Sequence, residues 1–186
     1  MTLRRPKQTQ AECEAAISPL RALTLWPEWA YAVCHLGKNI ENRQWVPPPG
    51  AIGHIICIHG GKYIGGLDTG TDRQWQAMLS LCETATKVTG KEYRISDQPG
   101  PCSVNADLIN ARGRGIVAVA RLDNVLKHSQ DHGWYRADCF GWVLEDVVVL
   151  PEPVECRGAQ GLWKVKPSVA EKVLAQLKGL KDASNH

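Results

Sequence analysis

Three ionisable side chains lie within six residues of one another in a short polar segment, GKNIENRQW at 37–45. Lys38, Glu41 and Arg43 together can bind a phosphate, contact the polar edge of a base, or form an ordinary ion-pair network. In a regular strand Glu41 and Arg43 would share one face, and Lys38 would lie on the other. A pocket that holds both Lys38 and Glu41 therefore requires a bend near Asn39. Without the bend, the spacing favours a weak surface ion pair between Glu41 and Arg43.

Aromatic side chains occur in polar stretches where a large apolar ring is unusual. The chain has seven tryptophans, and Trp45 and Trp134 lie in such stretches, with Tyr135 directly after Trp134. An aromatic ring beside basic groups is typical of base stacking. The structural alternative is that these rings close the ends of a barrel and belong to the core.

A histidine ends the apolar run IICIH and is followed by two glycines and a lysine. The glycines would let the backbone approach a ligand closely, so His59 and Lys62 are candidates for contact with a phosphate or a base. Asn42 is a candidate for the polar edge of a base. For His59 the alternative is a core histidine with internal hydrogen bonds.

Several other kinds of chemistry lack their sequence patterns. The chain has no Walker-type glycine loop, no HExxH motif, no nucleophile elbow and no paired-carboxylate spacing. Seven widely spaced cysteines occur without a CxxC pair, so neither a zinc site nor any other metal or cofactor is expected. Cys57, within the run IICI, is typical of a small core hydrophobe. The odd number of cysteines favours a reducing compartment, and we expect a cytoplasmic protein.

The charge is modest but uneven along the chain. The formal net charge is +3; residues 1–62 carry seven Lys and Arg against four Asp and Glu, and residues 131–157 carry two against six. Such a field can steer an anionic ligand, or it can reflect two ordinary solvated faces. No run of 18 apolar residues and no secretory leader pattern is present, so no membrane partner is expected.

The elements that would position these groups are five or six strands and three helices. The strands do not alternate regularly with helices, which favours a small mixed β-barrel of the α+β class over a doubly wound parallel sheet. Pro151 and Pro153 would end the strand that precedes them or confine it to an edge. The predicted strands cover 21–26, 53–59, 116–122, 140–150 and 161–166, and the helices begin at Pro27, near Thr71 and near Ser168.

The chain length favours one domain. Residues 1–20 are interpreted as an N-terminal lead, and residues 21–166 as the barrel domain. Residues 62–113, which show no sustained period after Val88, form an insertion or long functional loop within it. Residues 167–186 are predicted to form a C-terminal helix that packs on the same domain through an apolar stripe. A monomer is favoured.

Taken in order, these segments resemble the ASCH domain, a family of the PUA-like superfamily. The similarity covers roughly half the chain and lies in LTLWPEWAYAVCHLGKNIENRQW, IICIHGGK, GIVAVARL, the Trp134–Tyr135 loop, FGWVLEDVVVLPEPVECRG and GLWKV. It implies a small mixed PUA-like barrel with a cleft between the first helix and the segment after it. PUA-like domains bind RNA or DNA, and some relatives recognise modified bases.

The resemblance also implies roles for individual residues. The family's cleft segment carries over onto Lys38, Glu41 and Arg43, with Asn42 and Trp45 beside them. His59 and Lys62 match a family pattern at the end of the next strand. One small branch of the family hydrolyses acylated cytidine with a Lys, a Thr and a carboxylate, and another member has been described as a ribonuclease. Lys38 has its counterpart in that branch, but Glu41 stands where the branch has Thr.

Three hypotheses follow. The first is a module that binds RNA, DNA or a nucleotide and reads a single base, modified or not, in a polar cleft. The second is a hydrolase acting on an acylated cytidine nucleoside or on RNA, in which Lys38 is the base or nucleophile and Glu41 orients it. The third is a protein-interaction domain that uses the insertion and the C-terminal helix.

Overall fold

The computed structural model of the chain describes residues 20–62, 67–98, 100, 102–128, 130, 131 and 133–184, without the side chains of 67–74 and 184. The predicted lead, 1–20, lies outside this part apart from Leu20. The described part contains four helices: α1 Pro27–His35, α2 Leu67–Thr89, α3 Ala106–Arg112 and α4 Pro167–Ser184. It also contains eight strands: β1 Arg21–Leu25, β2 Ile40–Arg43, β3 Ile55–Gly60, β4 Arg94–Ile95, β5 Ser103–Val104, β6 Gly115–Leu126, β7 Phe140–Val154 and β8 Leu162–Lys164.

Six of the strands form one mixed sheet in the order β2-β7-β6-β3-β1-β8. Only the β1–β3 pair is parallel among these neighbours. The register between β6 and β7 shifts at three places, and such irregularities bend and twist a strand pair. The sheet accordingly curls into a half-barrel. The expected α+β class is confirmed.

The two faces of the sheet carry separate cores because side chains alternate along each strand. On the α1 face, Leu23 and Leu25 pack with Ala30 and Val33 of α1. On the α4 face, Leu20 and buried residues of several strands pack under Val173 of α4; the strand residues are Ala22, Cys57, Ile116, Val119, Leu150 and Val154. A side chain's position in its strand therefore decides which helix it meets.

The insertion builds a third core beyond α1. It contributes Leu81 from α2, Val104 from β5 and Ile109 from α3, which pack against Tyr135. The sequence predicted one helix here, from near Thr71; α2 begins earlier, at Leu67, and α3 was missed. A helix of seven residues is too short to show a period, although its cap was visible. The Asn105 side chain accepts hydrogen bonds from the N–H groups of Asp107 and Leu108.

The two prolines near the end of β7 do not end that strand. β7 runs on to Val154, because beyond Val143 its only ladder partner is β6. The N–H of Leu144 still donates to the carbonyl of Asn39, so residues 145–154 form an edge on that side, where a missing N–H costs no ladder hydrogen bond. The edge alternative of the sequence analysis is the correct one.

Candidate functional site

The bend that a shared pocket requires lies between α1 and β2. Gly37 follows the end of α1 with φ +70°, a conformation that glycine adopts without strain. The N–H of Lys38 then donates to the carbonyl of Ala32 at 3.1 Å, and β2 begins only at Ile40. This turn removes Lys38 from the strand alternation and directs its side chain inward.

Lys38 is almost completely buried, with 3% of its surface exposed. Its Nζ lies 3.1 Å from Oε2 of Glu41 and donates to the carbonyl of Ile40. The same Nζ lies 5.8 Å from the ring centroid of Trp29 and 6.0 Å from that of Trp134, within the range of cation–π attraction. Burial lowers the pKa of Lys38, the Glu41 carboxylate opposes that change, and Arg43 adds to it.

Glu41 joins two cations. Its Oε1 lies 3.1 Å from Nε of Arg43, without hydrogen-bond alignment, while its Oε2 faces Lys38. Nη2 of Arg43 donates to the carbonyl of Thr24 at the end of β1, at 2.6 Å. The exposed fraction of the side chain rises from 3% for Lys38 through 10% for Glu41 to 23% for Arg43. The three charges thus form a row that leads from the interior to the surface.

Asn42 holds a loop instead of facing this row. Its Nδ2 donates to the carbonyl of Trp134 at 2.8 Å, and its Oδ1 accepts from the N–H of Arg136 at 2.9 Å. Both ends of the amide are therefore engaged by backbone. The geometry makes Asn42 a positioning residue, which keeps the Trp134 ring beside Lys38.

The loop aromatics are more deeply buried than accessible stacking residues would be. Trp134 is 6% exposed and Tyr135 1%. The Tyr135 hydroxyl hydrogen-bonds with both the N–H and the carbonyl of His128 and with the carbonyl of Cys139. Trp45 is half-buried, edge-on to Trp142 at 4.6 Å between centroids. These contacts match the alternative in which the rings close the core.

His59 lies on the α4 face, whereas Glu41 pairs in register with Trp142 of the α1-face core. Nε2 of His59 is 3.2 Å from the carbonyl of Cys156, and its ring packs edge-on to Trp163. Nδ1 is buried without a hydrogen-bond partner, and burial lowers the pKa of the ring. The structure therefore separates His59 from the Lys38 row by the thickness of the sheet.

Lys62 is exposed just beyond the end of β3. The N–H of Gly61, before it, donates to the carbonyl of Leu25 at 2.8 Å, so the ends of β1 and β3 lie side by side. Arg43 reaches the same end of β1 through Thr24. Lys62 and Arg43 are thus the two sequence candidates that lie at this rim of the sheet.

Trp29 is a site residue that sequence reasoning missed. It contacts Lys38, yet its spacing with Ala32, Val33 and Leu36 is that of an apolar helix stripe, which gives it a structural role without any ligand. The one available signal was its position in the helix that leads directly into the polar segment.

Neither a metal centre nor a membrane span emerges from the described residues. No group of three or more His, Cys, Asp and Glu side chains among them is arranged to hold a metal ion. None of the helices in the same residues is both long enough and apolar enough to cross a membrane.

In comparisons with known proteins, no family model matches the chain, and no curated protein is significantly similar to it. The resemblance to ASCH domains therefore remains an interpretation of the residues. The function has to be argued from the chemistry of the site.

Proposed function

We propose that Lys38, Glu41 and Arg43 line a cleft through which the protein binds a nucleotide or nucleic acid, and that this cleft reads a single base, modified or not. One observation carries the proposal: three charged side chains form a continuous row from a nearly dry interior to the surface. The row begins between the rings of Trp29 and Trp134.

The energetics of burial support a functional interpretation of this row. Removing a charged pair from water costs several kcal/mol per ion, and apolar side chains of similar size commonly stabilise a core as well or better (about 1–4 kcal/mol). Stability alone is thus a poor reason to keep Lys38 and Glu41 inside. Buried ionisable groups whose pKa values are displaced tend to lie at functional sites.

The order of the row suggests a role for each group. Arg43, the outermost, would hold a phosphate, for which its planar guanidinium is well suited. Each oxygen of the Glu41 carboxylate faces one cation and keeps lone pairs that can accept from an exocyclic amino group. Lys38, the deepest, would hold Glu41 in its ionised form and donate to a carbonyl of the base.

The test is binding at low salt of fluorescently labelled single-stranded RNA and DNA, and of nucleosides. We expect binding that weakens as salt rises, with a log–log slope of about −0.7 for each phosphate held. Glu41→Gln should weaken binding at least about tenfold, because it removes a charge-assisted acceptor. Glu145→Gln, which alters a surface carboxylate paired with Arg121, is the matched control and should bind like the parent. Absence of binding to every ligand at low salt would contradict the proposal.

A second candidate function is hydrolysis of an acylated cytidine, favoured by the lowered pKa of Lys38. A neutral Lys38 amine would take a proton from water, and the hydroxide would add to the acyl carbonyl carbon. The C–N bond would then break, and the proton would pass to the departing exocyclic nitrogen, releasing cytidine and a carboxylic acid. Full turnover by Lys38→Ala, or no turnover by the parent protein, would exclude this candidate.

A further inference from the structure

We propose that Trp26 is the stacking platform for one unpaired base of a single-stranded nucleic acid, and that Arg43 and Lys62 hold the phosphates that flank this base. The inference rests on the function proposed above and deepens it, because it adds a second nucleotide next to the one in the cleft. In the sequence, Trp26 looks like the last residue of the first strand.

Trp26 offers the accessible ring that the loop aromatics do not. It is 45% exposed, whereas Trp134 and Tyr135 are buried. An exposed aromatic residue alone is an ordinary feature of protein surfaces. What distinguishes Trp26 is the fixed backbone that carries it and the two basic residues, Arg43 and Lys62, at the end of the strand that leads into it.

The backbone of Trp26 is held in place on both sides. Its carbonyl accepts hydrogen bonds from the N–H groups of Trp29 and Ala30, each at 3.0 Å. The following Pro27 restricts it to an extended conformation, and φ is −64° and ψ 147°. A ring on a backbone that is already ordered loses less conformational entropy on binding than a ring on a mobile loop.

Two cations are tied to the residues just before this tryptophan. Arg43 reaches the carbonyl of Thr24, and the hydrogen bond from Gly61 to Leu25 brings exposed Lys62 beside the same strand end. Aromatic rings interspersed with positive side chains are the usual surface of proteins that bind single strands, because the cations follow the backbone and the rings stack on the bases.

The backbone of a third basic residue, Arg114, lies beside the end of β3 that precedes Lys62. At Gly60 a Cβ atom would overlap the carbonyl oxygen of Gly113 and lie 3.2 Å from Cα of Arg114, so this chain segment presses against the end of β3. Nε of Arg114 is buried without a hydrogen-bond partner. Arg114 therefore adds a positive charge to this end of the sheet, which favours an anionic ligand there.

Arg43 links the two subsites. It contacts Glu41 in the cleft and the backbone two residues before Trp26. A phosphate at Arg43 would therefore lie between a base in the cleft and a base on Trp26. The smallest ligand that uses the whole surface is a dinucleotide, and both of its bases must be unpaired, because a paired and stacked base cannot offer its face to a side chain.

The experiment compares the affinity of four proteins for randomised single-stranded RNA and DNA oligonucleotides, the matching duplexes, a dinucleotide pool and the free nucleosides. The proteins are the parent, Trp26→Ala, Trp26→Phe and Trp75→Ala. Trp75 of α2 is the matched control, because it is 49% exposed and lies outside the proposed surface. Circular dichroism checks that each variant is folded, and Trp26→Phe keeps an aromatic ring if Trp26→Ala is poorly folded.

We expect Trp26→Ala to weaken single-strand and dinucleotide binding by about 5- to 100-fold, the effect of losing one stacked base. Trp26→Phe should retain part of the affinity, Trp75→Ala should match the parent, and nucleosides should bind equally to all four proteins. Parent-like single-strand binding by a folded Trp26→Ala variant, with nucleoside binding unchanged, would overturn the stacking role while leaving the cleft intact. Tighter binding of duplexes than of single strands would also overturn it. A parent that binds none of these ligands would overturn the proposed function itself.

Discussion

The charged form of Lys38 is stable only with Glu41 beside it, because almost none of the side chain reaches water. The carboxylate at 3.1 Å and the carbonyl of Ile40 replace part of the lost hydration, and the faces of Trp29 and Trp134 add a weaker attraction. Removing one partner of such a pair by mutation lowers the free energy of unfolding strongly, because the remaining ion stays buried without its counter-ion. The pair should therefore behave as a unit under mutation.

We predict that Glu41→Ala lowers the free energy of unfolding by about 3–5 kcal/mol, since it leaves Lys38 and Arg43 without their shared carboxylate. The double variant Lys38→Met, Glu41→Leu should recover most of this loss, because it removes both buried charges. Urea unfolding followed by tryptophan fluorescence measures both values. The control is Glu145→Ala, a half-exposed partner of Arg121, which should change stability by no more than about 1 kcal/mol. Equal losses in the single and double variants would contradict the prediction.

The lowered pKa of Lys38 predicts a pH dependence of stability with a definite sign. Between the lowered pKa in the folded state and the ordinary value of 10.5, the folded protein binds fewer protons at Lys38 than the unfolded chain does. The free energy of unfolding therefore rises with pH across this window, and this contribution is lost as pH falls through the folded-state pKa.

Lys38→Met should lack that rise. We expect the stability of the parent to increase relative to the variant as pH rises toward 10.5, the ordinary pKa of lysine, in urea titrations. The other ionisable groups are common to both proteins, so their effects cancel in the comparison. Identical pH dependence of the two proteins would contradict the prediction.

At this scale, strand alternation in the sequence predicted that Glu41 and Arg43 share a face, and the structure has them in one ion pair. The inward turn of Lys38 was only conditional, because it depends on the positive φ of Gly37 and on a hydrogen bond to Ala32. The burial of Tyr135 could not be inferred locally. It requires three backbone partners at His128 and Cys139 that only the folded chain supplies.

At the scale of secondary structure, β2 carries the site residues Glu41 and Arg43 and also holds the loop that contains Trp134. Alternation places Asn42 on the side away from Glu41, where its amide fastens the loop that contains Trp134. The insertion packs on the other side of this loop, through Leu81 and Ile109 against Tyr135. The ring that covers Lys38 is thus held between a strand and the inserted helices.

We predict that Asn42→Ala loosens this loop and lowers stability by about 1–3 kcal/mol, because the N–H of Arg136 loses its acceptor and the carbonyl of Trp134 its donor. Hydrogen exchange should accelerate at Arg136 more than in β6. Gln44→Ala is the matched control: its Nε2 donates to the sulfur of Cys139, a weak acceptor, so its loss should have a smaller effect. Unchanged exchange at Arg136 in Asn42→Ala would show that the loop is held by its core contacts alone.

A helix or strand could be predicted from the sequence only when it was long enough to show a repeating apolar pattern. The apolar runs of β3 and β6 and the stripe of α4 identified these elements from sequence, whereas two-residue strands such as β4 and β5 have no period to detect. The pairing order was beyond sequence reasoning. Whether β1 lies beside β3 or β6 depends on which faces α1 and α4 must cover, and that is decided by tertiary packing.

At the scale of the whole molecule, the six-stranded sheet separates the core on the α1 face from the core on the α4 face. The helices α1 and α4 each stabilise the core that they cover. Val173 of α4 is fully buried over the α4 face, while its neighbour Lys172 is exposed. We predict that Val173→Ala lowers the free energy of unfolding by about 1–2 kcal/mol, from two lost methyl groups and the cavity they leave. Lys172→Ala should have almost no effect.

The Val173→Ala variant also tests whether a loss of stability on the α4 face affects ligand binding on the α1 face. Oligonucleotide binding by folded Val173→Ala should equal that of the parent, because the proposed cleft lies on the α1 face. Thermal unfolding measures the loss of stability, and fluorescence anisotropy measures oligonucleotide binding. A folded Val173→Ala protein with lost binding would mean that the two faces are coupled and that the cleft is not confined to one side.

The pairing of β8 with β1 has a consequence for how the protein is made. Arg21 lies opposite Lys164, so the first strand of the sheet finds one of its two neighbours only when nearly the whole described chain has been synthesised. Until residue 164 has left the ribosome, β1 presents an open edge that can pair with another nascent chain. The short length of β1 and the charge of Arg21 limit that hazard. A translational pause before β8 would nonetheless lower the yield of folded protein more than a pause after it.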